Sequence, residues 1–340
     1  MKQRAHAWVA LRAYKLLDDS GNAPKLAELL AYYLSDVWDG AWLPDTLIKD
    51  MTYGHIYKMD SDPKMLGSPI TPIERFTTPY KELKSKLCGN RLCLEYVKEF
   101  SELNKPYRSH PDEGGHLPDR VVALSHTIGD MLKMSDFPMA FYVKGEKPKA
   151  YMVDLSAQKV RDLSISPSFS ARQIALTFFM LCHYVCDAHT PLHADLRNTA
   201  LYKENKLTTE FHSSLEAKWE GYVPEKIELT LHKYLRKSVD KAVKALPEGS
   251  PIKIDRDRNY ALNNKILKIK GDEWREAVYI TRVSYAVSRK WIPNTYRDAD
   301  ELIKNIGQKE FDHVTNCIFH DAVESTARLW YKAWERYANS

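Results

Sequence analysis

Glycine is scarce in this chain, at 13 of 340 residues, below the roughly 7% share of an average protein. Leu, Ala, Lys and Glu are plentiful instead, a balance that favours long helices over glycine-punctuated strands. Cysteine is also sparse. Five thiols in a chain of this length do not make a disulfide framework, and their odd number leaves at least one unpaired, which fits a reducing compartment. Cys88 and Cys93, in C-G-N-R-L-C, read equally well as a pair across a turn, as metal ligands or as inert thiols, and no role is assigned to them.

Long apolar runs are missing. The uncharged stretch from Gln173 to Cys186 is shorter than the ~20 residues of a membrane-spanning helix, so no transmembrane segment is predicted. The N-terminal M-K-Q-R-A-H-A-W-V-A-L is interrupted by Arg12 and Lys15 before it reaches the ~7–15 apolar residues of a secretory signal. The chain as given is therefore expected in the cytoplasm, or outside the cell if it is a processed form. Walker-type glycine loops, dinucleotide fingerprints, nucleophile-elbow serines and internal repeats are all lacking, which removes loop-cradled phosphate and serine acyl-transfer chemistry. Charge of one sign does not dominate either. A net charge of +5 is compatible with an anionic substrate or surface without requiring one.

Hydrophobic residues at 44% and charged residues at 28% describe a foldable chain long enough for one large domain or two ordinary ones. Helical periodicity places His6, Val9, Ala10, Ala13 and Leu17 on one face of a helix over 6–18. Further helices are expected at 24–38, 80–103, 118–135, 171–189, 209–220, 225–246, 273–289 and 308–338. Residues 39–80 read as an ordered loop region, and 150–157 as a short strand or irregular chain. Ser168 or Ser170 can cap the 171–189 helix, and Pro191 ends it. The last helix carries Val323, Ala327, Trp330, Trp334 and Tyr337 on a single stripe. The basic face of 231–246 reads as a solvated surface.

The chemistry concentrates in C-H-Y-V-C-D-A-H-T-P-L-H-A-D, residues 182–195. On a helix His183 and Asp187 lie four apart and share a face, as two ligands of one ion must. The break at Pro191 returns His193 from a new direction, so three donors can surround an ion where a straight helix covers one side. F-H-S-S-L-E follows, and puts His212 and Glu216 at the same spacing. A single histidine on an apolar helix is usually a hydrogen-bonded core residue, and one His/Asp pair arises easily by chance. Two such pairs around a redirected third histidine point instead to metal, and imidazole with carboxylate suits zinc. His189, two residues after Asp187, falls on another face and is read as a supporting or surface residue.

The run H-Y-V-C-D-A-H-T-P-L-H, in the pattern H-x3-D-x5-H followed by H-x3-[DE], resembles the central motif of the zinc-dependent phospholipase C family and its relatives, the fungal and plant zinc nucleases. That resemblance implies an all-α multi-helix bundle with a three-zinc cleft. It makes His183, Asp187, His193, His212 and Glu216 ligands, with Asp187 shared between ions. Glu216, where the nucleases usually carry Asp, leans toward the phospholipases. H-A-W-V-A-L-R-A is similar to the first helix of the phospholipases and makes His6 a ligand. G-A-W-L-P-D resembles the motif whose Asp, here Asp45, is both a ligand and a proposed general base. His55 in Y-G-H-I-Y-K is the matching histidine, with His110, His116 and His126 as fallbacks. Family members bind the third zinc through an N-terminal tryptophan. Here Met1 stands in that place, and its α-amine is the expected donor. Cys186 adjoins Asp187 and is expected to point off the ligand face. The likeness covers about 1–60 and 170–220, and more loosely the Trp-rich final helix, so the chain reads as one domain over 1–340 with an insertion at about 60–165.

The activity so implied is zinc-dependent phosphoester hydrolysis by an activated water. A phospholipid is the favoured substrate, and peripheral membrane contact would accompany it. The alternatives are a single-strand nuclease or 3′-nucleotidase, with Tyr57 as the base-stacking residue, and a noncatalytic helical protein stabilised by zinc.

Overall fold

The computed structural model describes residues 1–49, 54–60, 92, 108–109, 116–135, 170–198, 207–230, 235–254, 272–293 and 295–338. Among these the fold is all-helical apart from one antiparallel pair of two-residue strands, β1 (Met59–Asp60) and β2 (Arg108–Ser109). The helices are α1 (Gln3–Ser20), α2 (Pro24–Tyr32), α3 (Val37–Gly40), α4 (Leu117–Met134), α5 (Ala171–Ala188), α6 (Pro191–Ala194), α7 (Thr209–Gly221), α8 (Leu235–Lys244), α9 (Glu273–Trp291), α10 (Ala299–Ile306) and α11 (Gln308–Ala338). None is long and apolar enough to cross a membrane.

Helix α5 starts where its sequence says it should. The Ser170 hydroxyl accepts from the Gln173 backbone N–H at 3.2 Å, and the Gln173 side chain accepts from the Ser170 N–H at 3.0 Å, a capping box that satisfies two otherwise unpaired donors. Pro191 ends α5 and also begins α6, because its missing N–H costs nothing in a first helical turn. Helix α1 stops at Gly21, whose φ of 65° lets its N–H reach back to the Asp18 carbonyl.

Several expectations give way. The predicted 24–38 helix breaks after Tyr32 into a 3-10 turn (Leu34–Asp36) and the separate α3. Within 39–80 lies a π-helical turn, Pro44–Ile48. Of the expected 225–246 helix the described residues show Leu235–Lys244, and 226–230 is not helical but alternates exposed Lys226, Glu228 and Thr230 with half-buried Ile227 and Leu229 packed on the core. That is the period of a strand-like chain, and the Thr230 N–H donates to the Ser238 hydroxyl at 2.9 Å. Helix α10 was not anticipated, although Asp298 caps it at the Glu301 N–H and Gly307 closes it. The expected helix at 80–103 apart from Leu92, the segment 150–157 and most of the 60–165 insertion fall outside the described residues, as do Cys88 and Cys93.

The final helix is buried on every face rather than along one stripe. From Val314 to Trp330 no residue of α11 is exposed. It packs on α1, α4, α5 and α10, while α9 packs on α4, α5 and α6. Such a central position requires its polar residues to find partners. Arg328 and Lys332 both donate to buried Glu276 of α9, and Trp219 of α7 donates to Thr315 at 3.2 Å. Helix α1 is likewise buried nearly all round, and it carries His6 into the interior.

Close approach of α3 to α5 fixes the edge of the cleft described next. A Cβ built on Gly40 would stand 2.8 Å from the Phe179 Cβ and 3.1 Å from the Leu176 Cδ2. Only glycine permits this contact.

Candidate metal centre

Helix α5 supplies the centre of the site. His183 and Asp187 sit one turn apart and fully buried, and Asp187 Oδ2 lies 3.2 Å from His183 Nε2. Helix α1 crosses α5 so that the His6 ring stacks on His183, with centroids 4.2 Å apart, and His6 Nε2 meets the other Asp187 oxygen, Oδ1, at 3.3 Å. Asp187 therefore faces histidines from two elements with its two oxygens.

The π-helical turn brings in Asp45. Lys49, in the left-handed region at φ 54°, closes that turn by donating to the Pro44 carbonyl. π-turns occur often at functional sites. Asp45 Oδ1 lies 3.0 Å from His55 Nε2 and 3.4 Å from His183 Nε2. On the opposite wall, His193 from α6 and His212 from α7 direct their Nε2 atoms to Glu216 Oε1, at 3.6 and 3.3 Å. Three donor groups result, each with ligand atoms close enough to share one ion: His6/His183/Asp187, Asp45/His55/His183 and His193/His212/Glu216. The Met1 amine completes the arrangement. It donates to Glu216 Oε1 at 2.6 Å and to the Thr190 hydroxyl at 3.3 Å, and lies 3.7 Å from Asp187 Oδ1.

The histidines are aimed by their rear nitrogens. His6 Nδ1 meets the Lys2 carbonyl at 3.1 Å, His183 Nδ1 the Ala41 carbonyl at 2.8 Å, His193 Nδ1 the His55 carbonyl at 3.1 Å, and His212 Nδ1 the Asn198 side-chain oxygen at 3.1 Å. An oxygen acceptor behind each ring places a proton on Nδ1 and leaves Nε2 to face inward, as metal-binding histidines require.

Electrostatics are those of a site with too little hydrogen bonding of its own. Burial would raise the carboxyl pKa of Asp187, but His183 and His193 hold it well below the usual range. Glu216 is depressed in the same way by the Met1 amine, His193 and His212, and Asp45 by the imidazoles of His183 and His55 that face it. Burial lowers His6 and His193 to about 4. It acts against His183 too, where Asp187 and Asp45 outweigh it and lift the ring to about 10. Three anionic carboxylates thus share a small buried volume. His183 Nε2, Asp187 Oδ2 and His212 Nε2 are buried with no hydrogen bond, which is costly for polar atoms unless another partner takes them. Inward-facing imidazole and carboxylate groups are the donor set of a divalent transition metal, so these residues fit the implied ion.

The groups open on a cleft of about 830 Å³, whose wall also includes Trp42, Thr46, Ile56, Lys58, Ser213 and Glu220. Seven of the nine predicted donors, Met1 among them, line this cleft, and the other two, His6 and His183, lie against Asp187 in its wall. Of the fallback histidines, His126 is exposed on α4 and His116 is exposed just before it, beside Asp119, while His110 falls outside the described residues. His189 is buried, not at the surface, and pairs with Ser325 at 3.0 Å. Cys186 points away as expected, toward Cys182, with the sulfurs 3.8 Å apart. Tyr57 is only 3% exposed, so it offers no stacking face. The aromatic residue at the cleft is Trp42, which packs against both His6 and His183. Sequence reading missed the supporting oxygens of Ala41 and Asn198, since a backbone carbonyl or lone amide brought in by tertiary contact leaves no spacing signal.

No protein-family model, curated protein or solved structure gives a significant match to this chain.

Proposed function

We propose that this chain is a zinc-dependent phosphodiester hydrolase similar to the zinc-dependent phospholipase C family, with a glycerophospholipid as its substrate. The observation that carries this reading is the position of Asp187, whose two oxygens face His6 at 3.3 Å and His183 at 3.2 Å. A shared carboxylate between donor groups is what a cluster of ions in one cleft needs. By this reading Asp45, His55, His183 and Asp187 hold one ion; His193, His212 and Glu216 hold a second; Met1, His6 and Asp187 hold a third. Zinc supplies Lewis acidity at phosphoryl oxygens and a source of hydroxide near neutral pH.

The chain's own groups do the rest. Asp45 is half-buried on the cleft wall and kept anionic, so it accepts a hydrogen bond from an attacking water and orients it toward phosphorus. The oxygen acceptors behind His6, His183, His193 and His212 hold the rings in place without reorganisation. The open cleft favours hydrolysis over a structural role, because structural zinc sites are closed by four protein ligands.

Support for the lipid comes from the turn that carries Asp45. It also presents Leu47, 76% exposed, and Ile48 to solvent, apolar groups suited to a lipid surface. Burial of Tyr57 removes the stacking residue expected of a nuclease. Trp42 at the cleft is the one observation in favour of the nuclease reading. Zinc-loaded protein assayed on phosphatidylcholine vesicles, a soluble phosphodiester and single-stranded DNA separates the readings. Release of diacylglycerol is expected. Preferential cleavage of DNA would establish the nuclease, and turnover of none of the three would leave a noncatalytic zinc-stabilised protein.

A further inference from the structure

Segment 55–59 is laced to 192–198. The His193 ring donates to the His55 carbonyl, the Tyr57 N–H donates to the His193 carbonyl at 3.1 Å, and Met59 bridges Asp195 in parallel. Within this clasp lies Lys58, 2% exposed, whose ammonium donates to the Leu192 carbonyl and to Asn198 Oδ1. Asn198 has its amide orientation settled independently, because its Nδ2 donates to the Leu207 carbonyl at 2.7 Å. Its oxygen therefore points to the two remaining neighbours, Lys58 Nζ at 3.5 Å and His212 Nδ1 at 3.1 Å. A shared acceptor fixed on its far side forces the His212 proton onto Nδ1. The Nε2 lone pair then faces Glu216 Oε1 at 3.3 Å without a hydrogen bond between them. Two acceptors opposed in a half-buried place repel unless a cation lies between them.

We propose that Asn198, fastened by the buried ammonium of Lys58, is the positioning residue that commits His212 to metal binding. Through the 55–59 clasp it ties the His193/His212/Glu216 group to the group containing His55. This inference rests on the zinc reading of the donor groups. Neither Lys58 nor Asn198 is a ligand. Each acts through His212, and outer partners of ligating histidines typically change metal affinity 10–100-fold when removed.

The test compares Asn198→Ala, Asn198→Asp and Lys58→Met with the wild type, with zinc affinity measured by chelator competition. The His212 Nδ1 proton is followed by NMR of protein labelled with ¹⁵N-histidine. Asn198→Ala is expected to weaken one ion by about 10–100-fold and to lose the protected Nδ1 proton to exchange. Asn198→Asp, which keeps an acceptor oxygen, is expected to retain both, and Lys58→Met to weaken the same ion by about tenfold. Wild-type affinity in Asn198→Ala with the proton retained would overturn the proposal. So would an Asn198→Asp protein as impaired as the alanine variant, since that result marks a purely structural asparagine. Where Asn198→Ala fails to fold by circular dichroism, Lys58→Met decides, and unchanged affinity there counts against the relay. A wild type that takes up no zinc defeats the hydrolase reading alone. The Nδ1 proton of the metal-free wild type then still decides the positioning role, and its absence would refute it.

Discussion

The amino nitrogen of Met1 lies 2.6 Å from Glu216 Oε1, a contact between residues 215 apart in sequence. Glu216 thereby joins the His193/His212 wall to the start of α1, and the amine is fully buried where it does so. Burial lowers its pKa, but Glu216 and Asp187 reverse that and raise it overall. A few extra residues placed before Met1 would convert the amine to an amide with no lone pair to give. Such an extended protein is expected to bind one zinc fewer by elemental analysis while keeping its helical content. Unchanged stoichiometry would remove Met1 from the ligand set.

Asp187 differs from Asp45 and Glu216 because its two oxygens face histidines of two different elements, His6 of α1 and His183 of α5. Removing it should disturb two donor groups at once, whereas His212→Ala touches one. We expect Asp187→Ala to lose more than one zinc per chain and His212→Ala a single one. Hydrolysis should fall by at least roughly 10²-fold in each, the cost of losing one preorganised charge stabiliser. Metal content and turnover measured on the same samples check this, and loss of activity with full zinc occupancy would contradict it.

Local geometry made much of the site legible in the sequence. His183 with Asp187, and His212 with Glu216, need only the 3.6-residue turn to share a face, and Ser170 and Pro191 mark the ends of the helix that carries the first pair. The same reasoning failed over 225–230, where charged and apolar residues fit a helix about as well as a strand and only the core contacts of Ile227 and Leu229 decide. It also missed the full burial of α11, because Glu276 and the other partners of its polar faces come from distant helices. Support atoms such as the Ala41 carbonyl are invisible before the chain is folded.

Gly40 shows how that support depends on packing. Its missing Cβ lets α3 lie against Phe179, and the next residue offers its carbonyl to His183 Nδ1 at 2.8 Å. Gly40→Ala puts a methyl group where Phe179 already stands, an overpacking that costs about 1–3 kcal/mol. The shift should carry the Ala41 carbonyl away from His183. Lower thermal stability together with weaker zinc binding is expected. A stability loss with unchanged zinc affinity would show that the carbonyl follows the ring.

Glu276 gives the expected pH response of the fold, away from the metal centre. It is buried between Arg328 and Lys332. Burial alone would raise its pKa, but the two cations outweigh that and hold it below its ordinary value of 4.5. A carboxyl depressed in the folded state binds protons more readily when unfolded. Its contribution is therefore present above about pH 4.5 and is lost as pH falls through the folded-state value. Glu276→Gln removes the carboxylate that both buried cations share and should cost about 3–5 kcal/mol at pH 7. Because the wild type forfeits the same ion pair in acid, the gap between the two proteins should narrow as pH drops below about 4.5. Denaturant titrations of both at pH 7 and at pH 3.5 measure it, and a gap that stays constant would mean that the Glu276 carboxyl is not held below its unfolded-state value.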